Sequence, residues 1–250
     1  MRGVRGRRPV VVLATGLLAG LTLVGCGALP ALPGPAPTDL VPSMVPGGGT
    51  PTTAGNLSPD GFDAAQRMAV RVRNVGCKSL STGSGFAIDA TTLITNRHVV
   101  DGSSDLQLST YDGRDIAATA ASTAKLADLA IVRTVDPLPA YPELAKTDPE
   151  PGDAVTVVGY PQGGRLTVTV GRVMGATTDP LNVNLGEVLV TDAPVEPGSS
   201  GSAVLDAKGR VIGVVYAKNS DDMSFIVPVS TLRDMLADES AFKPTPACTD

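Results

Sequence analysis

The sequence has no tryptophan, a single histidine, three cysteines, four phenylalanines and four tyrosines in 250 residues. So few His and Cys side chains, without clustered acids beside them, exclude a metal centre of the usual kinds. Three cysteines also exclude a disulfide-dense miniature scaffold. Cations are scarce as well: 20 Lys and Arg face 25 Asp and Glu, a net charge of −5, and no basic run lies beyond the first eight residues. Such a chain lacks the positive footprint that a phosphate backbone requires, so nucleic acid is excluded as a partner. The charge-free apolar stretch at residues 10–24 would span about 22 Å as a helix, short of the roughly 30 Å of a bilayer core. What is present is 42% hydrophobic residues with 28 Gly and 21 Pro, enough for one folded domain with appendages.

The N-terminus reads as an address. Residues 1–9 hold four Arg and no acid, residues 10–24 carry no charge, and Gly25-Cys26 follows; charged, apolar and small segments in that order form a secretory signal. Leu23-Val24-Gly25-Cys26 resembles a bacterial lipobox, which implies cleavage before Cys26 and acylation of its sulfur. The chain is therefore expected to be exported and held to the outer face of a bacterial cell membrane. Loss of residues 1–25 leaves 16 cationic against 25 acidic residues, a net charge of −9. The two remaining thiols, Cys77 and Cys248, allow one intramolecular pairing in an oxidising compartment, so a disulfide between them is predicted. Residues 27–59 contain eight Pro, six Gly and one charge, Asp39. They bury no core and read as a tether, up to roughly 100 Å long at 3.1 Å per residue. The expected organisation is a signal at 1–25, lipidated Cys26 and tether at 26–60, and one folded domain at 61–250.

Within that domain, Asp63–Met68 suggests a short helix, and then β-branched runs recur between Gly, Asp and Pro. They fall at 70–73, 85–88, 92–95, 106–108, 129–132, 154–158, 166–170, 187–190, 211–215 and 224–227. Ten short strands with turn signals between them predict an all-β antiparallel architecture, not alternating β and α. Residues 136–151, with five Pro, read as a crossing between two halves. Ser230 is expected to cap a final helix whose Leu232, Met235 and Leu236 share one face.

Three constellations carry chemistry. The lone histidine, His98, follows a strand in Thr95-Asn96-Arg97-His98-Val99-Val100. Asp128 opens the apolar run Leu129-Ala130-Ile131-Val132, where burial of a carboxylate is costly unless a partner receives it. Ser200 lies in Gly198-Ser199-Ser200-Gly201. With Thr82-Gly83-Ser84-Gly85-Phe86, Asp112-Gly113-Arg114, Pro151-Gly152-Asp153, Gly159-Tyr160-Pro161 and the run from Gly209 to Val215, these fragments resemble the chymotrypsin-fold serine peptidases, specifically the bacterial HtrA-like branch, over residues 66–236.

The resemblance implies two six-stranded antiparallel β-barrels, at about 66–137 and 150–229, and a C-terminal helix at about 230–238. It implies an endopeptidase in which His98 is the general base for Ser200, Asp128 orients the imidazole, and the amides of Gly198 and Ser200 form an oxyanion hole. Protein or peptide substrates are expected, with no cofactor or metal, and a monomer. Val215, Tyr216, Ala217 and Phe225 are expected to line the substrate site, with an apolar or small residue before the scissile bond. The sequence departs from its relatives at Ser199, where Asn or Asp is usual, and at Ser202-Ala203, where Gly-Pro or Gly-Gly is usual. Ser199 cannot receive a freshly cut N-terminus as an Asp does in the digestive enzymes. Over the sequence up to Asp250, the PDZ domain common in that branch is not expected. These departures leave a second reading, a catalytically latent binding or scaffold module. An esterase of the α/β-hydrolase type is excluded, because it needs Gly-x-Ser-x-Gly and its histidine last.

Overall fold

A computed structural model describes residues 62–124, 126–183 and 186–245. The signal, Cys26, the tether and Cys248 lie outside the described residues. Helix α1 (Ala64–Arg67) opens the domain with a capping box: the Asp63 carboxylate accepts the Gln66 N–H at 2.8 Å while Gln66 Oε1 accepts the Asp63 N–H.

Barrel one consists of β1 (Ala69–Gly76), β2 (Leu80–Ala87), β3 (Thr92–Thr95), β4 (Ser103–Thr110), β5 (Asp115–Ala124) and β6 (Ala130–Thr134), closed by pairing of β5 with β6. Barrel two consists of β7 (Ala154–Gly159), β8 (Thr167–Thr178), β9 (Glu187–Thr191), β10 (Ala203–Leu205), β11 (Val211–Lys218) and β12 (Ser224–Pro228), closed in the order β10-β11-β12-β9-β8-β7. All strand pairs are antiparallel. The crossing between the barrels is pinned where the Ala145 N–H donates to Val211 O and the Val211 N–H to Glu143 O.

Period-two geometry puts successive side chains on opposite faces of a strand, yet several strands bury both faces. Leu93, Val132 and Leu108 fill barrel one, while Val157, Val215 and Ile226 fill barrel two. Their sequence neighbours Ile94, Val158, Val214 and Val227 point the other way into a third buried cluster, shared by both barrels with Phe86, Leu129 and Tyr216. This seam explains why the runs read as continuous apolar stretches and not as alternating ones. It also fixes the edge along which the two barrels present their loops.

Helix α3 (Val229–Ala237) buries Leu232 and Met235 in that seam cluster, with Leu236 packed against it. Ser230 does not cap it. The N-cap is Pro228, and Ser230 instead donates its N–H and Oγ–H to the Asp148 carboxylate at 2.9 and 2.6 Å. A strand absent from the sequence reading, β13 (Phe242–Pro244), then pairs with Ser122–Ala124 of β5.

The β10–β11 turn carries a compact charge pair. The Asp206 carboxylate accepts the backbone N–H groups of Lys208 and Arg210, each at 2.9 Å, and lies 2.6 Å from Arg210 Nη2. Partial burial alone would raise its pKa, but these hydrogen bonds and the guanidinium bring it below the ordinary carboxylate value. A depressed folded-state pKa adds stability above the unfolded-state pKa and loses it as pH falls through the folded value. Asp206→Asn is expected to cost about 1 kcal/mol at pH 7. Thermal unfolding of both proteins from pH 7 to pH 2 should show the difference shrinking through the acidic limb.

Candidate active site

His98 sits on a single helical turn, α2 (Arg97–Val100), at the end of β3. Val99 and Val100 are buried in barrel one and anchor the turn, while the His98 side chain stays 49% exposed. Asn96 occupies the N-cap position without capping; its Nδ2–H donates to Asp128 O at 2.7 Å and so ties the turn to the loop before β6. The Asp128 side chain is 4% exposed and grips His98 twice. Oδ1 accepts the His98 backbone N–H at 3.1 Å, and Oδ2 lies 2.5 Å from Nδ1. A carboxylate accepts only, so Nδ1 carries the proton in this contact and Nε2 is the ring nitrogen left for another partner. Arg97 Nε stands 3.9 Å from Oδ1, a second charge that offsets the burial of Asp128.

Ser200 lies in the turn between β9 and β10. Its residue is half-buried, whereas Ser199 is buried, with Oγ accepting the Glu196 N–H at 3.2 Å. Ser199 is thus turned back into its own loop. Gly198 and Gly201 adopt φ of 95° and 86°, the left-handed region that only glycine enters readily. A Cβ at 201 would collide with the Ser84 carbonyl oxygen, and one at 198 would stand 2.5 Å from Gln162 N. The turn is sutured to barrel one where the Ser84 N–H donates to Ser200 O at 2.8 Å. Gly83 fills the space between Ser200 O and Val99, the residue after His98, and so brings the two loops together.

Two peptide planes in this turn have defined orientations. Pro197 O accepts the Gln162 N–H at 2.6 Å, and Ser199 O accepts the Ser202 N–H at 2.9 Å. In a trans peptide the C=O and N–H point in opposite directions. The N–H groups of Gly198 and Ser200 therefore point away from those partners, and neither donates to an acceptor among the described residues.

Of the residues predicted to line a substrate site, Val215 is buried in the barrel-two core, and its N–H and C=O bond Ser202 O and the Gly201 N–H. Tyr216 and Phe225 are buried against each other, ring centroids 6.3 Å apart, and Tyr216 Oη–H donates to Asp179 at 2.6 Å. Ala217 is half-buried. Asp222 is 84% exposed and pairs with Lys218, which also meets Glu196 at 3.3 Å. Tyr160 is buried, and desolvation pushes its phenol up to about 12, so it stays neutral at physiological pH. Among the described residues no group of three or more His, Cys, Asp or Glu converges as a metal site. Sequence reasoning gave no role to Ser84, Asn96 or Gln162. The motif around Ser84 was visible, but the partners of its side chain lie at positions 160 and 198 and leave no local signal.

The two closed six-stranded barrels with a C-terminal helix are the chymotrypsin fold. A family model described as a trypsin-like peptidase domain matches residues 83–214, and the chain belongs to that family. It is 32% identical over 200 residues to the serine protease Rv3671c of Mycobacterium tuberculosis, covering 74% of this chain and 50% of the relative. To the serine protease Do-like HtrA of Bacillus subtilis it is 33% identical over 156 residues, covering 56% of this chain and 34% of the relative. The chain thus matches half or less of the length of these relatives. The crystal structure of the active form of the Rv3671c protease superposes with a TM-score of 0.65 at 28% identity, over 75% of this chain and 88% of that one.

Gly201→Ala forces a side chain into the Ser84 carbonyl at a positive φ. It is expected to destabilise the fold by about 2 kcal/mol or more, read as a lower midpoint in urea denaturation.

Proposed function

We propose that this protein is a serine endopeptidase with Ser200 as nucleophile, His98 as general base and Asp128 as the group that orients the imidazole. The observation that carries the reading is the two-pronged grip of Asp128 on His98, with Oδ2 2.5 Å from Nδ1. Ser200 Oγ attacks the scissile carbonyl while Nε2 of His98 takes its proton. The carbonyl oxygen, now anionic, accepts the N–H groups of Gly198 and Ser200. Collapse expels the amine, which receives the proton from His98, and leaves an acyl ester on Ser200. Water, deprotonated by His98, attacks that ester; collapse breaks the bond to Ser200 Oγ, which takes the proton back from His98, and the carboxylic acid product leaves.

The finer reading adds export, a lipid anchor at Cys26 and a Cys77–Cys248 disulfide. The first two rest on residues 1–26. The disulfide is supported by the bonded state of Cys77 and by the path of β13, after which Thr245 lines the same groove as Ser103, the register partner of Gly76.

Fluorophosphonate treatment of the full chain, read by intact mass, should add one adduct to the wild type and none to Ser200→Ala. Folded wild type without an adduct would overturn the peptidase reading in favour of a latent binding module. Asp128→Asn should lower kcat by about 10³- to 10⁴-fold, because the wrong imidazole tautomer then faces Ser200. Non-reducing peptide mapping should recover Cys77 and Cys248 in one cross-linked fragment.

A further inference from the structure

Gly198 supplies one of the two amides assigned to the oxyanion hole, and it is the least constrained residue in the loop by its own chemistry. With no Cβ, a glycine at φ 95° meets little steric resistance to rotation of the peptide that precedes it. Rotation by half a turn would carry the Pro197 carbonyl to where the Gly198 N–H now points. The orientation must therefore be imposed by neighbours: one hydrogen bond holds that peptide directly by its carbonyl, and a second holds the peptide that follows, on the other side of Gly198. One is the Gln162 N–H to Pro197 O contact at 2.6 Å. The other comes from barrel one: Ser84 Oγ–H donates to Gly198 O at 2.8 Å.

Ser84 is completely buried, and both capacities of its hydroxyl are used. While it donates to Gly198 O, it accepts the Tyr160 N–H at 2.8 Å. Tyr160 leads directly into the Pro161–Gly163 3-10 turn that presents the Gln162 N–H. That turn is itself strained, with Gln162 at φ 56°, and rests on barrel one, where Gly163 packs against Thr82 and its carbonyl accepts Arg71 Nη1–H at 3.5 Å. One hydroxyl thus holds the carbonyl on one side of Gly198 and the base of the turn that holds the carbonyl on the other side. The Ser84 backbone is fixed independently, by its N–H to Ser200 O and by Thr95 Oγ1–H to its own carbonyl at 2.6 Å. Removal of the hydroxyl leaves those two contacts in place.

We infer that Ser84 is a positioning residue for the oxyanion hole, its hydroxyl holding the Gly198 amide in the orientation that receives the anionic carbonyl oxygen. The inference rests on the peptidase reading above. A flipped Gly198 peptide would remove a donor from the transition state and leave ground-state contacts of the substrate backbone unchanged, so the loss falls on kcat and not on KM.

The test compares wild type, Ser84→Ala and Ser84→Cys on one cleavable peptide. Two ligands are added: the same peptide as an aldehyde, which forms a tetrahedral oxyanion adduct with Ser200, and the cleaved acyl-side product, which does not. Ser84→Ala should lower kcat by about 10- to 100-fold, short of the 10²- to 10³-fold typical of deleting a donor outright. KM should change less than about 3-fold. Aldehyde affinity should fall by the same factor as kcat, product affinity should hold, and Ser84→Cys, which retains a weak donor and acceptor, should recover part of both losses. Equal kcat and aldehyde affinity in folded Ser84→Ala, or a loss confined to KM and product affinity, would overturn the inference. If Ser84→Ala does not fold, Ser84→Cys carries the test, and unchanged aldehyde affinity there would overturn it. A wild type that neither turns over nor takes a fluorophosphonate overturns the peptidase reading and this inference with it. An active wild type with an unaffected Ser84→Ala overturns this inference alone.

Discussion

The attachment of the Pro197–Gly201 turn to strand β2 is the constraint on which the site depends. The histidine and its carboxylate partner belong to barrel one, the serine to barrel two, and a pair of barrels joined by apolar packing alone would hold them only as tightly as side chains interdigitate. Directional bonds do better. The Ser84 N–H on Ser200 O, the Ser84 hydroxyl on Gly198 O and the Thr95 hydroxyl on Ser84 O fix β2, β3 and the serine turn as one hydrogen-bonded unit. The glycines at 83, 85 and 201 let backbones approach at these points, where a Cβ would meet Val99, Ile94 or Ser84.

Much of this arrangement was legible in the sequence. Each of the ten apolar runs became a strand, and several did so because both of their faces are buried, one inside a barrel and one in the seam. Three strands escaped. β5 reads Asp-Ile-Ala-Ala-Thr-Ala-Ala-Ser-Thr-Ala, a composition with weak β preference that is extended because β4 and β6 pair with it. β10 has three residues and carries no period, and β13 includes a proline. The helix start was misread at Ser230 because a serine near an apolar run signals a cap, while here Asp148, 82 residues away, claims both of its donors.

The candidate catalytic residues stood out because each has a local signature: a lone histidine after a strand, an acid opening an apolar run, a serine between glycines. The groups that hold them in place have none. Asn96, Ser84 and Gln162 act through the carbonyls of residues far along the chain, and a backbone acceptor leaves no trace in the identity of the residue that bears it. The same holds for the strand Val211–Lys218, which shows its apolar character in sequence but not that the Val215 N–H and C=O are already bonded within the barrel.

The placement of β13 bears on how the chain reaches its final state. β5 pairs with β4 through Asp115–Ala117, then with β6, and its last residues Ser122–Ala124 present the edge that Phe242–Pro244 covers. An uncovered edge of this kind is a template for strands of other molecules. The segment that seals it is made more than a hundred residues later, so on a ribosome the first barrel emerges with that flank open. Its protection against self-association arrives only with Phe242–Pro244, a strand whose proline carries no N–H to offer a further chain.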